Sequence, residues 1–206
     1  MQPKNRLIFS LLAILLIGYI VFACQHLPKN SKPFPVAIHE GDIVFRRGSS
    51  LASRLVLTAD KAGIYSHIGI IAQLNDSFVV VHAVPGEENT GQIEKVKIES
   101  LSSFFAPDKA VAGAVMRSDL SSDSLHRVAQ KALKLYYRNT PFDNDYNLND
   151  STKMYCSELV WYAFKTAGVD ITNKKRSKID LPVFQGEYIF PSDIQTNKKL
   201  KLIYSF

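Results

Sequence analysis

The fold of this 206-residue chain is indicated most clearly by residues 65–86, YSHIGIIAQLNDSFVVVHAVPG. Two runs rich in β-branched residues, 67–73 and 78–84, flank the four turn-forming residues 74–77, and this pattern predicts a β-hairpin. Side chains along such a strand point alternately to two faces, so residues two apart share a face.

The turn determines which hairpin side chains meet. With a two- or four-residue loop centred on Asn75 and Asp76, Gly69 lies opposite His82. His67 and His82 then share one face as diagonal neighbours, with about 5–8 Å between their β-carbons. A three-residue loop breaks this relation by shifting the register. Two imidazoles on an aliphatic hairpin are costly unless they interact, so one can act as a base that the other orients. Each histidine alone also fits a hydrogen-bonded sheet residue without a catalytic role.

Cys156 is the candidate nucleophile. It lies in the first turn of a helix predicted over residues 154–167, where unpaired backbone N–H groups and the helix dipole favour a thiolate and can stabilise an oxyanion. A free thiol outside the cytoplasm is a liability unless it is buried or used. The alternative is a small core residue, because Val160 and Ala163 continue from Cys156 along an apolar helix face.

The rest of the chain from residue 40 onward has the pattern of an α+β domain. Further strands are predicted at 42–46, 93–98, 111–116 and 200–204, and further helices at 49–58 and after a cap at Ser121 or Ser122. Several antiparallel strands followed by helices favour an α+β fold over a parallel doubly wound sheet. We therefore expect one catalytic domain over residues 40–206, with an antiparallel sheet packed against helices.

The pattern of residues 1–23 indicates a targeting segment. Residues 7–23 carry no charge, which suits a signal-peptide core and is slightly short for a membrane span. The run ends in VFAC, which is similar to the lipobox of bacterial lipoproteins and implies cleavage followed by lipidation of Cys24. Residues 24–39 then form an extended tether that contains three prolines. An uncleaved anchor helix and plain secretion are the alternatives, and all three place the domain outside the cytoplasm. The favoured lipoprotein is anchored to a membrane of the cell envelope.

The composition excludes several classes of protein. A hydrophobic content of 46% excludes a disordered chain, and two cysteines cannot build a disulfide scaffold. The formal charge of +6 falls to +4 when residues 1–23, with Lys4 and Arg6, are removed. The remaining basic clusters lack the interleaved aromatic residues that stack on bases, so we expect no nucleic-acid partner. We also expect no cofactor, and the sequence does not indicate an oligomeric state.

Four segments carry a family resemblance: GDIVFRRGSS at 41–50, YSHIGII at 65–71, VVHAVPG at 80–86 and YCSELVWYAF at 155–164. In this order they resemble the signatures of the YaeF/YiiX-like permuted papain-like amidases. These belong to the superfamily of NlpC-type cysteine peptidases and lecithin retinol acyltransferase-like enzymes. The resemblance implies a circularly permuted papain-like fold, with the histidines before the cysteine and the nucleophile at a helix N-terminus.

By position, the resemblance makes Cys156 the nucleophile, His67 the general base and His82 the orienting residue. The third place is often Glu in the YiiX-like group and His in the acyltransferase-like group, so the substrate class stays open. Tyr155 is a candidate for lining the substrate cleft, with a packed aromatic ring as the alternative. Glu158 is expected to be solvated or paired with a basic side chain, and no catalytic role is assigned to it.

The favoured hypothesis is an extracytoplasmic, membrane-anchored thiol hydrolase that cleaves an amide in a cell-wall peptide or an acylated small molecule. The alternatives are a lipid acyltransferase or thioesterase using the same residues, and a non-catalytic envelope lipoprotein that binds a ligand. A zinc site made from Cys156, His67 and His82 competes chemically but lacks the close spacing of structural zinc sites. Asp42, in the GD turn, is expected to be structural.

Overall fold

The hairpin is the centre of a six-stranded antiparallel sheet in the computed structural model, which describes residues 34–86, 93–181 and 184–206. Within these ranges the compact unit runs from Val36 to Phe206. The predicted targeting segment, Cys24 and most of the predicted tether lie outside the described residues. Among the residues that are described, no helix has both the length and the apolar character that a membrane crossing requires.

Eight strands and five helices make up the described chain. In order they are β1 (Ile43–Arg47), α1 (Leu51–Ala59), β2 (His67–Leu74), β3 (Ser77–Ala83), β4 (Val96–Ser100), α2 (Leu101–Phe104), β5 (Ala112–Ser118), α3 (Ser122–Tyr137), α4 (Cys156–Lys165), β6 (Ser177–Leu181), β7 (Phe184–Tyr188), α5 (Pro191–Gln195) and β8 (Leu200–Ser205).

The large sheet has the strand order β4-β3-β2-β1-β5-β8, and every neighbouring pair is antiparallel. This architecture confirms the α+β prediction. Strands β6 and β7 form a separate two-stranded sheet that the sequence analysis did not predict. The predicted strand at 93–98 is displaced in the structure, since β4 begins at Val96 and ends at Ser100.

The register of the β2–β3 hairpin confirms the prediction from the turn. Leu74 pairs with Ser77 and Ile70 with Val81, which leaves a two-residue loop. Both loop residues have positive φ, 47° at Asn75 and 61° at Asp76, as a type I′ turn requires. The tight turn therefore sets the pairing of the whole hairpin.

Gly69 of β2 leaves the space that the His82 side chain of β3 occupies. A β-carbon built on Gly69 would lie 2.7 Å from Val80 Cγ1 and 3.1 Å from the β-carbon of His82. Any larger residue would therefore push β3 away or displace the His82 ring. The sequence prediction that Gly69 leaves room for His82 is confirmed.

The two faces of the sheet have different coverings. Ile68, Ile70 and other residues of that face form the main core with α3 and α4. His67 and His82 lie on the opposite face, because they alternate with those core residues. Phe104 of α2 covers this second face, with its ring centroid 5.7 Å from that of His67 and 5.4 Å from that of His82.

Asp42 ties the first strand to the rest of the sheet. Its buried carboxylate accepts hydrogen bonds from Arg117 Nε at 2.7 Å and Nη2 at 2.8 Å, and from the His39 N–H at 2.8 Å. Arg117 belongs to β5, so this charge-assisted pair fixes the start of β1 against its neighbour. These contacts support a structural role for Asp42.

Candidate active site

The two hairpin histidines are in direct contact. His67 Nε2 and His82 Nδ1 lie 2.8 Å apart, and both side chains are buried. One ring nitrogen must donate and the other accept, so the tautomers of the two imidazoles are coupled. The sequence prediction that these side chains meet on one face is confirmed.

Glu99 lies behind His82, and the sequence analysis did not identify it. Its Oε1 is 3.0 Å from His82 Nε2, and its Oε2 accepts hydrogen bonds from Ser103 Oγ and Lys109 Nζ, each at 2.7 Å. Arg46 Nη1 approaches Oε1 at 3.4 Å and donates to the Phe104 carbonyl at 3.1 Å. The carboxylate therefore joins the histidine pair to a cluster of polar and cationic groups.

The β4 register explains both the position of Glu99 and why it was missed. His82 pairs with Lys97, which makes Glu99 its diagonal neighbour on the same face. The predicted strand stopped at residue 98, one residue before Glu99. Extending the predicted strand to residue 100, where β4 ends, would have placed the Glu99 carboxylate beside His82.

Cys156 lies in the first turn of α4, as predicted, although the helix begins at Cys156 itself, two residues later than expected; its side chain is half-buried. Helix α4 packs against β2. The backbone N–H of Ile68 is among the groups that stabilise the Cys156 thiolate, and Ile68 directly follows His67. The structure thus brings the thiol to the end of β2 that carries the candidate base.

The electrostatics at the thiol differ from the sequence expectation. Burial raises the pKa of the Cys156 thiol, and this outweighs the stabilisation of the thiolate by Ser157 and by the backbone N–H of Ile68. Burial, reinforced by the positive charge of Arg46, lowers the pKa of His67 well below its usual value. In the resting state both the Cys156 thiol and the His67 imidazole are therefore neutral, since desolvation penalises both charged forms.

His82 and Glu99, the other ionisable groups of the cluster, differ in charge. Burial lowers the pKa of His82, although Glu99 opposes this shift. Burial would raise the pKa of Glu99, but His82, Lys109 and Ser103 hold it well below its ordinary range. Glu99 is therefore an anion, whereas both histidines are neutral at neutral pH.

Comparison with known proteins assigns the chain to a family. The family of permuted papain-like amidase enzymes of the YaeF/YiiX type, peptidase family C92, matches residues 37–204. The chain belongs to this family. It is accordingly a member of a family of cysteine amidases and peptidases, and its fold is of the permuted papain-like type.

A solved structure shows the same fold. The chain is similar to a protein from Escherichia coli O157:H7 described as metalloprotein yiiX, with a TM-score of 0.66 and 21% sequence identity. The match covers 82% of this chain and 97% of the other. No curated protein matches the sequence significantly.

Three of the four ring nitrogens of the histidine pair in this amidase-family chain are directed at other side chains. His67 Nε2 and His82 Nδ1 face each other at 2.8 Å, which leaves one nitrogen on each ring, and that of His82 faces Glu99. Within residues 34–86, 93–181 and 184–206, no group of three or more His, Cys, Asp or Glu side chains is arranged to hold a metal ion. The residues described therefore do not fit the zinc alternative.

Tyr155 and Glu158 flank the nucleophile but lie inside the protein. Tyr155 is 4% exposed, and its hydroxyl accepts the Ile189 N–H at 3.0 Å, which describes a packed aromatic ring. Glu158 is 1% exposed, and its Oε2 accepts the Tyr155 N–H at 3.4 Å. Burial raises the pKa of Glu158 to about 8, so its carboxyl is protonated at neutral pH. The expectation of a solvated or ion-paired Glu158 was wrong, because the first turn of α4 is covered.

A cavity of 580 Å³ lies between the 145–149 loop, α4 and the β6–β7 hairpin of this amidase-family domain. Tyr146 lines it, and the pKa of Tyr146 is raised first by burial and then by the charge of a Cys156 thiolate. Trp161 of α4 and Tyr188 of β7 line it as well. The β6–β7 hairpin thus supplies one wall of this cavity, and Tyr146 lines it from the 145–149 loop.

The neutral thiol–imidazole state makes a prediction about alkylation. With the thiol pKa raised and the His67 pKa lowered, the rate of Cys156 alkylation by iodoacetamide should climb continuously from pH 6 to beyond pH 9. A thiolate–imidazolium pair would instead give a plateau across the range between the two pKa values. The measurement is peptide mass spectrometry of the segment containing Cys156, which separates it from Cys24. A flat profile between pH 5 and 8 contradicts the assignment.

Proposed function

We propose that the protein is an extracytoplasmic thiol hydrolase that cleaves an amide through a Cys156 acyl-enzyme. The observation that carries the proposal is the 2.8 Å contact between His67 and His82 at the end of β2 where α4 delivers Cys156. Membership in the amidase family supports the reaction type. The natural substrate class is an amide in a cell-wall peptide or an acylated small molecule.

The reaction proceeds in two halves. In the first half, Cys156 Sγ attacks the carbonyl carbon while its proton passes to His67. The C–N bond then breaks, and the imidazolium returns the proton to the leaving amine. In the second half, His67 takes a proton from water as the oxygen attacks the thioester. The C–S bond breaks, and the proton returns to the sulfur, which restores the enzyme.

The start of α4 also supports stabilisation of the oxyanion. The first N–H groups of a helix have no partner within the helix, and they carry the positive end of its dipole. The backbone N–H groups of Cys156 and Ser157 already act on the sulfur. A carbonyl oxygen that becomes negative beside this sulfur therefore lies within the same field.

A thiol-directed acyl probe tests the proposal. It should label wild-type protein at Cys156 but not the Cys156→Ala variant, and His67→Ala should lower the labelling rate at pH 7.5 by at least about 100-fold. The matched control is His126→Ala, because His126 pairs with Glu40 on the surface at 2.8 Å. Labelling of His67→Ala at the wild-type rate would refute the base assignment. Absence of labelling in wild type would favour the non-catalytic, ligand-binding lipoprotein.

A second candidate function, acyl transfer from a lipid, rests on exposed apolar residues near the site. Leu51 and Leu55 of α1 are 73% and 61% exposed, and Ile64 is 52% exposed. They lie on the segment that joins β1 to β2, whose base is closed by the Gly48 N–H donating to Ser66 Oγ at 3.0 Å. An apolar surface directly before His67 suits a substrate with an acyl chain.

Two leucine variants distinguish these functions. If the acyl donor is a lipid, Leu51→Ser with Leu55→Ser should slow turnover of a vesicle-embedded acyl donor at least about tenfold, because apolar burial is lost. Turnover of a water-soluble amide should not change. Leu202→Ser, at a 59% exposed leucine of β8, is the control. Mass spectrometry of products with and without an added amine identifies hydrolysis or transfer. If the double variant turns over both the vesicle-embedded donor and the water-soluble amide at the wild-type rate, the lipid function is excluded.

The location of the protein is part of the proposal. The uncharged run at 7–23 and the VFAC sequence at its end support a lipid-anchored protein of the cell envelope, acylated on Cys24. A single acyl chain binds membranes only marginally, whereas a lipoprotein anchor with several chains is stable. The domain would then act on substrates near the membrane that carries it.

The variant Cys24→Ala tests the anchor. The wild-type protein expressed in a bacterium should be found in the membrane fraction, with a mature N-terminus whose mass includes acyl chains. The variant should lose that mass and the cleavage before residue 24. An unchanged mass in the variant would contradict the lipoprotein proposal. An intact N-terminus at Met1 in the wild type would favour the uncleaved anchor helix.

A further inference from the structure

Glu99 lies at the far end of a line of polar contacts that begins at His67. It does not reach His67 itself, since His82 lies between them with contacts of 2.8 Å on one side and 3.0 Å on the other. Its second oxygen is held by Lys109 and Ser103, so the carboxylate cannot rotate freely. A buried carboxylate with this many donors remains ionised.

An ionised carboxylate can only accept protons in its contacts, and this determines where the histidine protons lie. His82 must carry its proton on Nε2, the nitrogen that faces Glu99. His82 Nδ1 then holds a lone pair, which accepts the proton on His67 Nε2. His67 Nδ1 is left unprotonated, and this is the nitrogen that can take a proton from a thiol.

Without Glu99 the surrounding charges favour the opposite arrangement. Arg46, Lys97 and Lys109 all act on this pair as positive charges that lower the histidine pKa values. Cations near His82 Nε2 favour a lone pair there and a proton on Nδ1. That proton would point at His67 Nε2 and force the His67 proton onto Nδ1, where the ring could no longer act as a base.

We propose that Glu99 is a positioning residue that fixes the tautomers of both histidines and so leaves His67 Nδ1 free to deprotonate the nucleophile. The proposal rests on the function proposed above and adds a fourth member to the Cys156, His67 and His82 set. The same charge stabilises the imidazolium that forms at His67 during attack, because His82 transmits the interaction through its two ring nitrogens.

The test uses Glu99→Gln in the full-length protein, which keeps the side-chain size and removes the charge. The rate of acyl-enzyme formation should fall by about 10²- to 10⁴-fold, as when a carboxylate that orients a catalytic histidine is neutralised. Glu99→Asp should recover part of this loss. Glu40→Gln is the matched control, since it removes a surface contact with His126, and its rate should stay within about twofold of wild type.

The pH profile separates positioning from simple loss of structure. Removing the anion takes away the negative charge that lies 3.0 Å from His82 Nε2, so the imidazolium form of His67 is less stabilised and His67 becomes harder to protonate. The acid limb of acyl-enzyme formation in Glu99→Gln should therefore move to lower pH while the plateau falls. A loss of packing alone would lower the rate at every pH and leave the acid limb in place, and this outcome would overturn the proposal.

Nitrogen NMR of the unmodified protein gives a readout that does not depend on any variant folding. At pH 7.5, His82 should carry its proton on Nε2, and His67 should show an unprotonated Nδ1. A proton on His82 Nδ1 would refute the role of Glu99. If Cys156→Ala or His67→Ala leaves acylation intact, the proposed function itself fails. If those variants are inactive and Glu99→Gln acylates at the wild-type rate, the Glu99 proposal alone fails.

Discussion

The contact between His67 and His82 is the constraint on which the rest of the site depends. It exists because the Asn75–Asp76 turn allows two residues and no more, which fixes the register of β2 against β3. A slip of one residue would turn His82 to the opposite face, into the core. The relative position of the two histidines is therefore set by strand pairing within this hairpin and not by the distant helix α4.

Burial of this contact determines the charges around it. Two imidazoles beneath Phe104 and beside a buried Arg46 cannot easily carry a proton, and their pKa values fall accordingly. A buried arginine next to a base would be a poor arrangement without a nearby anion, because an uncompensated buried charge is costly. Glu99 is that anion, so the same carboxylate both balances the cations and orients the histidines.

Local signals explain why much of the fold was predictable from the sequence. The turn residues at 75–76, the alternation in the hairpin and the Ser121 cap of α3 each act within a few residues, and the structure has all three where they were expected. Glu99 and Glu158 depend instead on tertiary contacts. Glu99 reaches His82 through strand pairing, and Glu158 is covered by elements distant in sequence. Neither a diagonal pairing nor a covering element leaves a periodic pattern in the chain.

The candidate base and the candidate nucleophile come from different elements, the β2–β3 hairpin and helix α4, and this has a chemical consequence. In the proposed mechanism the hairpin provides a base that is already oriented, whereas α4 provides a thiol whose pKa is raised by burial. In such a site the thiol is deprotonated only as it attacks, in the way that a serine hydroxyl is, instead of resting as a thiolate. The strength and orientation of the base then limit the rate, and both depend on the line of polar contacts from His67 through His82 to Glu99. A neutral resting state also exposes no permanent thiolate to oxidants, which suits the extracytoplasmic location proposed above.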